Sequence, residues 1–293
     1  MDTQSLQTFL DVATTGSFSA SAERLHLSQP AVSKRIANLE ARLGQRLLDR
    51  VGRQIMLTEA GQALLPYARQ VLATLDDARR SLSQLHQAVG GRLSLGTSHH
   101  IGLHRLPPVL SAFIDAFPAV DLDMHFMDSE DACEAVLAGE LELAIVTLPP
   151  RPEPQLEATL LWPDPLDVVV GPGHALAAES RITLSRLAEF PAVLPDEQTY
   201  THRIIRDALV GIARPLRVRL ATNYLETLKM LTGIGLGWSV LPRSMLDAGL
   251  QPLEVDGLRL QRELGIVRHR ARAESAAGRQ FARTAVELAG SAR

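Results

Sequence analysis

The sequence predicts an α/β protein that opens with a helix-turn-helix, and three stretches carry the prediction. Residues 19–48 read SASAERLHLSQPAVSKRIANLEARLGQRLL, two helical patterns separated by a tight turn. Between Leu64 and Val89, apolar residues recur at alternating spacings of four and three. From Arg92 onward, short apolar runs alternate with helical patterns, as in a sheet flanked by helices. A length of 293 residues, with 46% apolar and 22% charged residues, suits a globular chain of two or three modules.

The start, MDTQSLQTFLDVATTGSF, lacks the basic, apolar and small-residue order of a signal peptide, and no apolar run approaches the length of a membrane span. A cytoplasmic location is expected. The single cysteine, Cys133, excludes an intramolecular disulfide and any multi-cysteine metal site. It falls among helical apolar positions with Ala132, Val136 and Leu137, which reads as a buried structural thiol rather than a nucleophile. No Ser-His-Asp pattern, phosphate loop or nucleophile elbow occurs, so an enzyme is not expected.

Taken in order, residues 3–15 form a first helix whose buried face is Leu6, Phe9, Leu10 and Ala13, with Gly16 as its stop. Ala20 to Leu27 is the first helix of the motif. In the second, Ser28 is the N-cap, Pro30 falls in the first turn, and Val32, Ile36, Leu39 and Leu43 draw one apolar stripe. At about 100° per residue, the opposite face carries Pro30, Ser33, Lys34, Ala37 and Asn38, with Gln29 and Arg35 on its flanks. Short residues permit close approach to a DNA major groove, amides and hydroxyls suit base edges, and cations suit phosphates. The plain alternative is a two-helix packing unit with a solvated outer face. Charge favours DNA: Lys34, Arg35, Arg42, Arg46, Arg50 and Arg53 stand against only Glu40 and Asp49, in a chain of net charge −3.

Arg46 to Leu57 reads as a wing hairpin whose Arg50 and Arg53 lie against phosphates or in the minor groove, or are simply solvated turn residues. Thr58 then caps a long helix, with Glu59 at its positive end. Leu64, Ala68, Val71, Leu75, Ala78, Leu82, Leu85 and Val89 form a heptad seam along it. A narrow apolar stripe on a lone helix calls for a partner. A second copy fits best, with the chain's own C-terminal part as the alternative. A dimer places two recognition helices on successive major-groove faces and predicts a pseudo-palindromic site. Gly90 and Gly91 end the helix.

The run SQPAVSKRIANLEARLGQRLLDRVGRQIMLTEAGQALL resembles the DNA-binding region of LysR-type transcriptional regulators. Ser28, Gln29, Ala31, Ser33, Leu39, Glu40, Leu43, Gly44, Leu47, Arg50, Leu57, Thr58 and Gly61 stand at that family's spacing, while Leu48 replaces its usual Phe. The later GPGHALA from Gly171, ITLSRLAEFPAVLP and GIGLGWSVLP resemble the family's effector domain, with Ala175 in place of the usual Pro after His174. The resemblance implies a winged helix-turn-helix over residues 1–58 and a linker and dimerisation helix over 59–89. The effector-binding domain would be residues 90–293, built as two Rossmann-like subdomains similar to periplasmic binding proteins. Subdomain I would be about 92–162 plus 266–293, and subdomain II about 163–265. It further implies tetramers, contact with RNA polymerase, a small-molecule effector and no cofactor.

The expected elements of that domain are strands at Leu93–Thr97, Val120–Phe126, Leu141–Thr147, Leu156–Leu161, Leu166–Val170 and Leu216–Ala221. The expected helices lie near Leu103–Phe117, Glu130–Leu137, Arg203–Val210, Tyr224–Leu231 and Ala276–Ala289. A ligand in such a fold lies outside the carboxyl ends of strands and against helix starts. Candidates at these junctions are Ser98, His99, His100, Asp128, Ser129, Thr199, Thr201 and Asn223, a set that suits a carboxylate or another small anion. Serines and threonines there also serve as plain N-caps. His99, His100 and His104 offer a second reading, a metal-responsive regulator in which His100 and His104 share a helix face and bind a transition metal together with a carboxylate such as Asp128. Gly102 counts against it by loosening that turn.

Overall fold

The computed structural model describes residues 2–51, 54–83, 89–210 and 216–291. They fall into two units, Met1–His86 with Ala138–Glu140, and Gln87–Leu137 with Leu141–Arg293.

The first unit begins with α1 (Thr3–Thr15), capped by Asp2, whose carboxylate accepts from the Ser5 N–H at 2.8 Å, and ended by Gly16 at φ 62°. Helix α2 (Phe18–Arg24) follows its N-cap Ser17, and His26 makes the turn at φ 51°. Helix α3 (Gln29–Leu43) starts at the Ser28 cap and stops at Gly44 in the left-handed region. The hairpin β1 (Leu48–Val51) and β2 (Gln54–Leu57) pairs Leu48 with Leu57, and α4 (Glu59–Ser83) completes the unit. Phe9, Val12, Val32, Ile36, Leu39 and Leu47 form its core. Leu43 does not join them and is 40% exposed. It is the last residue of α3, past the buried stripe, and the turn at Gly44 brings Leu47 and Leu48 into the core in its place.

Two contacts fix the hairpin. Glu40 accepts from the Leu47 and Leu48 N–H groups at 2.8 and 3.2 Å, tying α3 to the start of β1. A Cβ on Gly61 would stand 2.1 Å from the Leu47 carbonyl oxygen, so only glycine lets α4 pass this close. Thr58 caps α4 by accepting from the Gly61 N–H at 3.0 Å. Along the seam, Leu64 and Ala68 pack into the unit's own core, against the expectation that the whole stripe faces a second copy. Val71 and Leu75 remain 40% and 38% exposed, beside Tyr67 at 67%. Leu85 lies outside the described residues, as does the side chain of Leu82.

The second unit opens with β3 (Gly91–Thr97), α5 (His99–His104), α6 (Pro107–Ala116), β4 (Val120–Phe126), α7 (Ser129–Ala138) and β5 (Leu143–Thr147). The single helix expected near Leu103–Phe117 is thus two, because Pro107 lacks the N–H a continuing helix would use and readily starts a new one. Next come β6 (Leu156–Val170), α8 (Leu184–Leu187), β7 (Ala192–Leu194), α9 (Tyr200–Ala208), β8 (Val218–Ala221) and α10 (Leu225–Gly233). The chain ends with β9 (Ser239–Pro242), β10 (Gln251–Leu253), β11 (Leu260–His269) and α11 (Ala276–Ser291).

One mixed sheet, ordered β10-β6-β11-β5-β3-β4 with β9 also on β6, runs through this unit. The two strands expected at 156–161 and 166–170 are the single strand β6, antiparallel to β11. Pro163 and Pro165 each remove only their own N–H from the ladder, and a bulge between Leu264 and Gly265 absorbs the irregularity. Side chains divide into separate cores along these two strands. One holds Phe113, Ile145, Leu264 and Phe281; another holds Val168, Leu194, Ile205 and Trp238. Among the described residues, no helix is long and apolar enough to cross a membrane.

Candidate functional site

On α3 the predicted outer face is open. Gln29, Pro30, Lys34 and Asn38 are exposed, and Ser33 and Arg35 are half-buried. Gln29 Nε2 donates to Ser33 Oγ at 3.1 Å, one turn along, so these two polar groups are held as a pair at the start of the helix. Arg53 lies outside the described residues, as does the side chain of Arg50.

In the second unit, all eight predicted effector residues line one small cavity of about 50 Å³: Ser98, His99, His100, Asp128, Ser129, Thr199, Thr201 and Asn223. Their elements explain the convergence. Ser98 follows β3 and is the N-cap of α5 with its hydroxyl unused by the helix. Asp128 and Ser129 follow β4, and Ser129 Oγ accepts from the Thr147 N–H at 3.1 Å, joining the start of α7 to the end of β5. Thr199 caps α9 by accepting from the His202 N–H at 3.1 Å. Asn223, before α10, donates to Asp128 at 2.6 Å and accepts from the Asp196 N–H at 3.0 Å, spanning the two halves of the unit.

The residue that sequence reasoning missed is Arg262. It is 5% exposed on β11; its Nε donates to Asp164 Oδ2 at 2.8 Å and its Nη1 to Thr201 Oγ1 at 3.2 Å. Asp164, 1% exposed, also accepts from Arg105 at 3.2 Å. The third guanidinium nitrogen, Nη2, is buried without a hydrogen-bond partner. Burial lowers the Arg262 pKa from its ordinary value, and contact with Asp164 works the other way. A signal existed: Leu260, Arg262 and Leu264 alternate on one side of a strand, which places an arginine where the core belongs. Glu130 was missed as well. It accepts from the Tyr200 N–H, and burial raises its pKa.

The three histidines do not act together. His99 stacks between Phe126 and Tyr224, with ring centroids 5.4 and 5.2 Å away. His100 is 5% exposed, has no hydrogen-bond partner for either ring nitrogen, and is pushed down to about 4 by burial and by Arg262. It is neutral at pH 7. His104 Nε2 lies 3.0 Å from Glu226 Oε1. The carboxylate beside His100 and His104 is therefore Glu226 of α10 and not Asp128, which Asn223 holds elsewhere. Gly102 does not loosen the turn: a Cβ there would lie 2.5 Å from Phe126 Cε1, so the glycine lets α5 seat tightly against that ring.

A larger open hollow of about 790 Å³ is lined by Asp167, Arg181 and residues 252–259. Arg181 is bonded to Asp256 and Asp167 to Arg243, so these charges serve surface ion pairs. Convergent buried polar groups occur in the small cavity instead.

The family description "LysR substrate binding domain" matches residues 86–290, and "Bacterial regulatory helix-turn-helix protein, lysR family" matches residues 3–62. An uncharacterized helix-turn-helix transcriptional regulator of Azotobacter vinelandii is 64% identical over 108 residues, 37% of this chain and 75% of its own length. The helix-turn-helix regulator YnfL of Escherichia coli is 32% identical over 244 residues, 82% of this chain and 81% of its own. Full-length CbnR solved with its target DNA shares the fold at a TM-score of 0.66 and 23% identity, covering 99% of this chain and 100% of that one. With both parts matched in order, this chain belongs to the LysR family of DNA-binding transcriptional regulators and is not an enzyme.

Proposed function

We propose that this regulator reads a pseudo-palindromic operator as a homodimer, and that a small anion taken up beside Arg262 sets its affinity for that operator. The observation that carries the effector reading is the buried, unpartnered Nη2 of Arg262 in a cavity also lined by the hydroxyls of Ser98 and Thr201. A buried donor left unsatisfied costs about 1–3 kcal/mol or more when charged, so an acceptor arriving there recovers that energy. The starts of α7, α9 and α10 supply N–H groups and positive dipole ends to the same place. Asp128 and Glu130 also line the cavity, so the effector carries a hydrogen-bond donor besides its acid group, as hydroxy acids and amino acids do.

A cavity of about 50 Å³ has room for only a few water molecules. The effector therefore enters an opened cleft. The strands β6 and β11, which run through both halves, are where the two halves hinge. Their bulge at Leu264 and Gly265 is the natural bending point. Closure around the anion changes how protomers associate, and the α4 helices pass the change to the spacing or bend of paired DNA sites. Within this reading Gln29, Pro30, Ser33, Lys34, Arg35 and Asn38 face the groove, and Arg50 and Arg53 meet phosphates. The regulator works in the cytoplasm and meets RNA polymerase there.

The test is thermal unfolding of the full chain against hydroxy acids, amino acids, phosphorylated acids and sulfur anions at pH 6 and 8. A ligand at 100 times its Kd stabilises by about 2.7 kcal/mol, which raises the midpoint by several degrees. The expected hit loses its shift in Ser98→Ala and in Arg262→Lys. A shift that survives both substitutions, or no shift from any anion, would place the effector elsewhere.

A further inference from the structure

We infer that His100, His104 and Glu226 form a binding site for one divalent first-row transition ion, with zinc the best match, joining α5 to α10 across the two halves of the effector domain. The ligand atoms of these three side chains lie within 4.8 Å of one another. Glu226 Oε1 is 3.0 Å from His104 Nε2 and 3.8 Å from His100 Nδ1. Donor atoms around a tetrahedral zinc ion stand about 3.4 Å apart, given bonds of about 2.0–2.2 Å. The two separations from Glu226 Oε1 bracket that spacing.

Three features separate this trio from a surface ion pair. His100 is 5% exposed and neither of its nitrogens has a hydrogen-bond partner, so a buried group of known coordinating chemistry stands beside a carboxylate with both nitrogens uncommitted. His100 and His104 are four residues apart on one helix, the spacing that puts two imidazoles on one face. That helix is fixed from behind, because Gly102 seats against Phe126. Two imidazoles and one carboxylate form the donor set of open zinc sites. The nearby cations do not forbid it: Arg105 and Arg262 share Asp164, and Glu226 adds a second negative charge.

The site gives the regulator a clamp that shares His100 with the lining of the anion pocket and takes its other two ligands from outside that lining. His100 and His104 belong to the helix after β3, and Glu226 to the helix after β8, so an ion shared among them holds the two halves together. The inference does not rest on the effector reading.

Zinc binding to the full, chelator-stripped chain is measured by calorimetry with no organic anion present, together with the visible absorption of the cobalt(II)-substituted protein. The wild type is expected to bind one ion per chain at this site and to unfold at a higher temperature with zinc. His104→Gln and Glu226→Gln alter side chains that are 44% and 43% exposed, so both variants keep the fold. Each is expected to weaken zinc binding by more than about tenfold, the scale on which even outer-shell changes act, and to abolish the cobalt absorption. No stoichiometric binding, or zinc affinity unchanged in both variants, overturns the inference. An anion that shifts stability while zinc fails, or the reverse, tells which of the two readings has fallen.

Discussion

At Arg262 a guanidinium is buried against Asp164 and Thr201, while at Cys133 a thiol is buried among Ala132, Val136 and Val146. Burial acts on both, with different outcomes. The guanidinium keeps one buried nitrogen without a hydrogen-bond partner, which is why it is the recognition group in the proposed function. The thiol is 3% exposed and is pushed up to about 11 by burial, with Glu130 and Glu134 adding to the rise and a Tyr200 hydrogen bond opposing it. A raised thiol pKa keeps Cys133 protonated at pH 8, with a thiolate fraction of roughly a thousandth, against roughly a quarter in an unfolded chain. The native protein at pH 8 is therefore expected to react with an aromatic disulfide reagent on the order of a hundredfold more slowly than the urea-unfolded chain. Equal rates in the two states would show that the thiol is open and reactive.

Helix α3 is held at both ends, by the Ser28 cap and by the Gly44 turn, and Glu40 locks it to the hairpin. A rigid helix presenting Gln29, Ser33, Lys34 and Asn38 supports base reading, because the spacing among these groups does not change on docking. Lys34→Ala is expected to lower operator affinity and shrink the preference for operator over scrambled duplex. Arg53→Ala is expected to weaken both duplexes alike and to reduce the salt slope by about 1. Fluorescence anisotropy over about 50 to 200 mM salt measures both. Operator preference unchanged in Lys34→Ala would move the recognition face off this side of α3.

At the scale of the whole molecule, α4 exposes Tyr67, Val71 and Leu75 along a 25-residue helix whose inner side is spent on its own core. Continuous apolar exposure of this kind is what a second α4 would cover. The double substitution Val71→Glu and Leu75→Glu is expected to turn a dimer into a monomer in sedimentation velocity. Affinity for a two-half-site operator should fall with it, while the chain still melts cooperatively. A dimer that survives the double substitution would put the interface elsewhere.

Much of this was legible in the chain. Caps and stops are local chemistry, so Ser28, Gly16 and Thr58 marked element ends that the structure places at the same residues. Strand-to-helix junctions carry small polar residues for reasons of capping, so eight of the residues around the cavity could be named without knowing how β3, β4 and β7 are arranged. Tertiary structure alone decided which partners these residues have. Only the pairing of β6 with β11 places Arg262 beside Asp164, because strand register is set by contacts some hundred residues apart, and only the packing of α9 against β11 adds Thr201. Likewise, periodicity put His100 and His104 on one face, but their carboxylate comes from α10, 122 residues away from His104. The sequence by itself determined most of the elements, their order and the residue types offered at each junction, but not that β6 is one strand or that α5 and α6 are two helices. Packing decided that Leu64 and Ala68 turn inward, that His99 leaves the histidine cluster, and that Glu226 joins it.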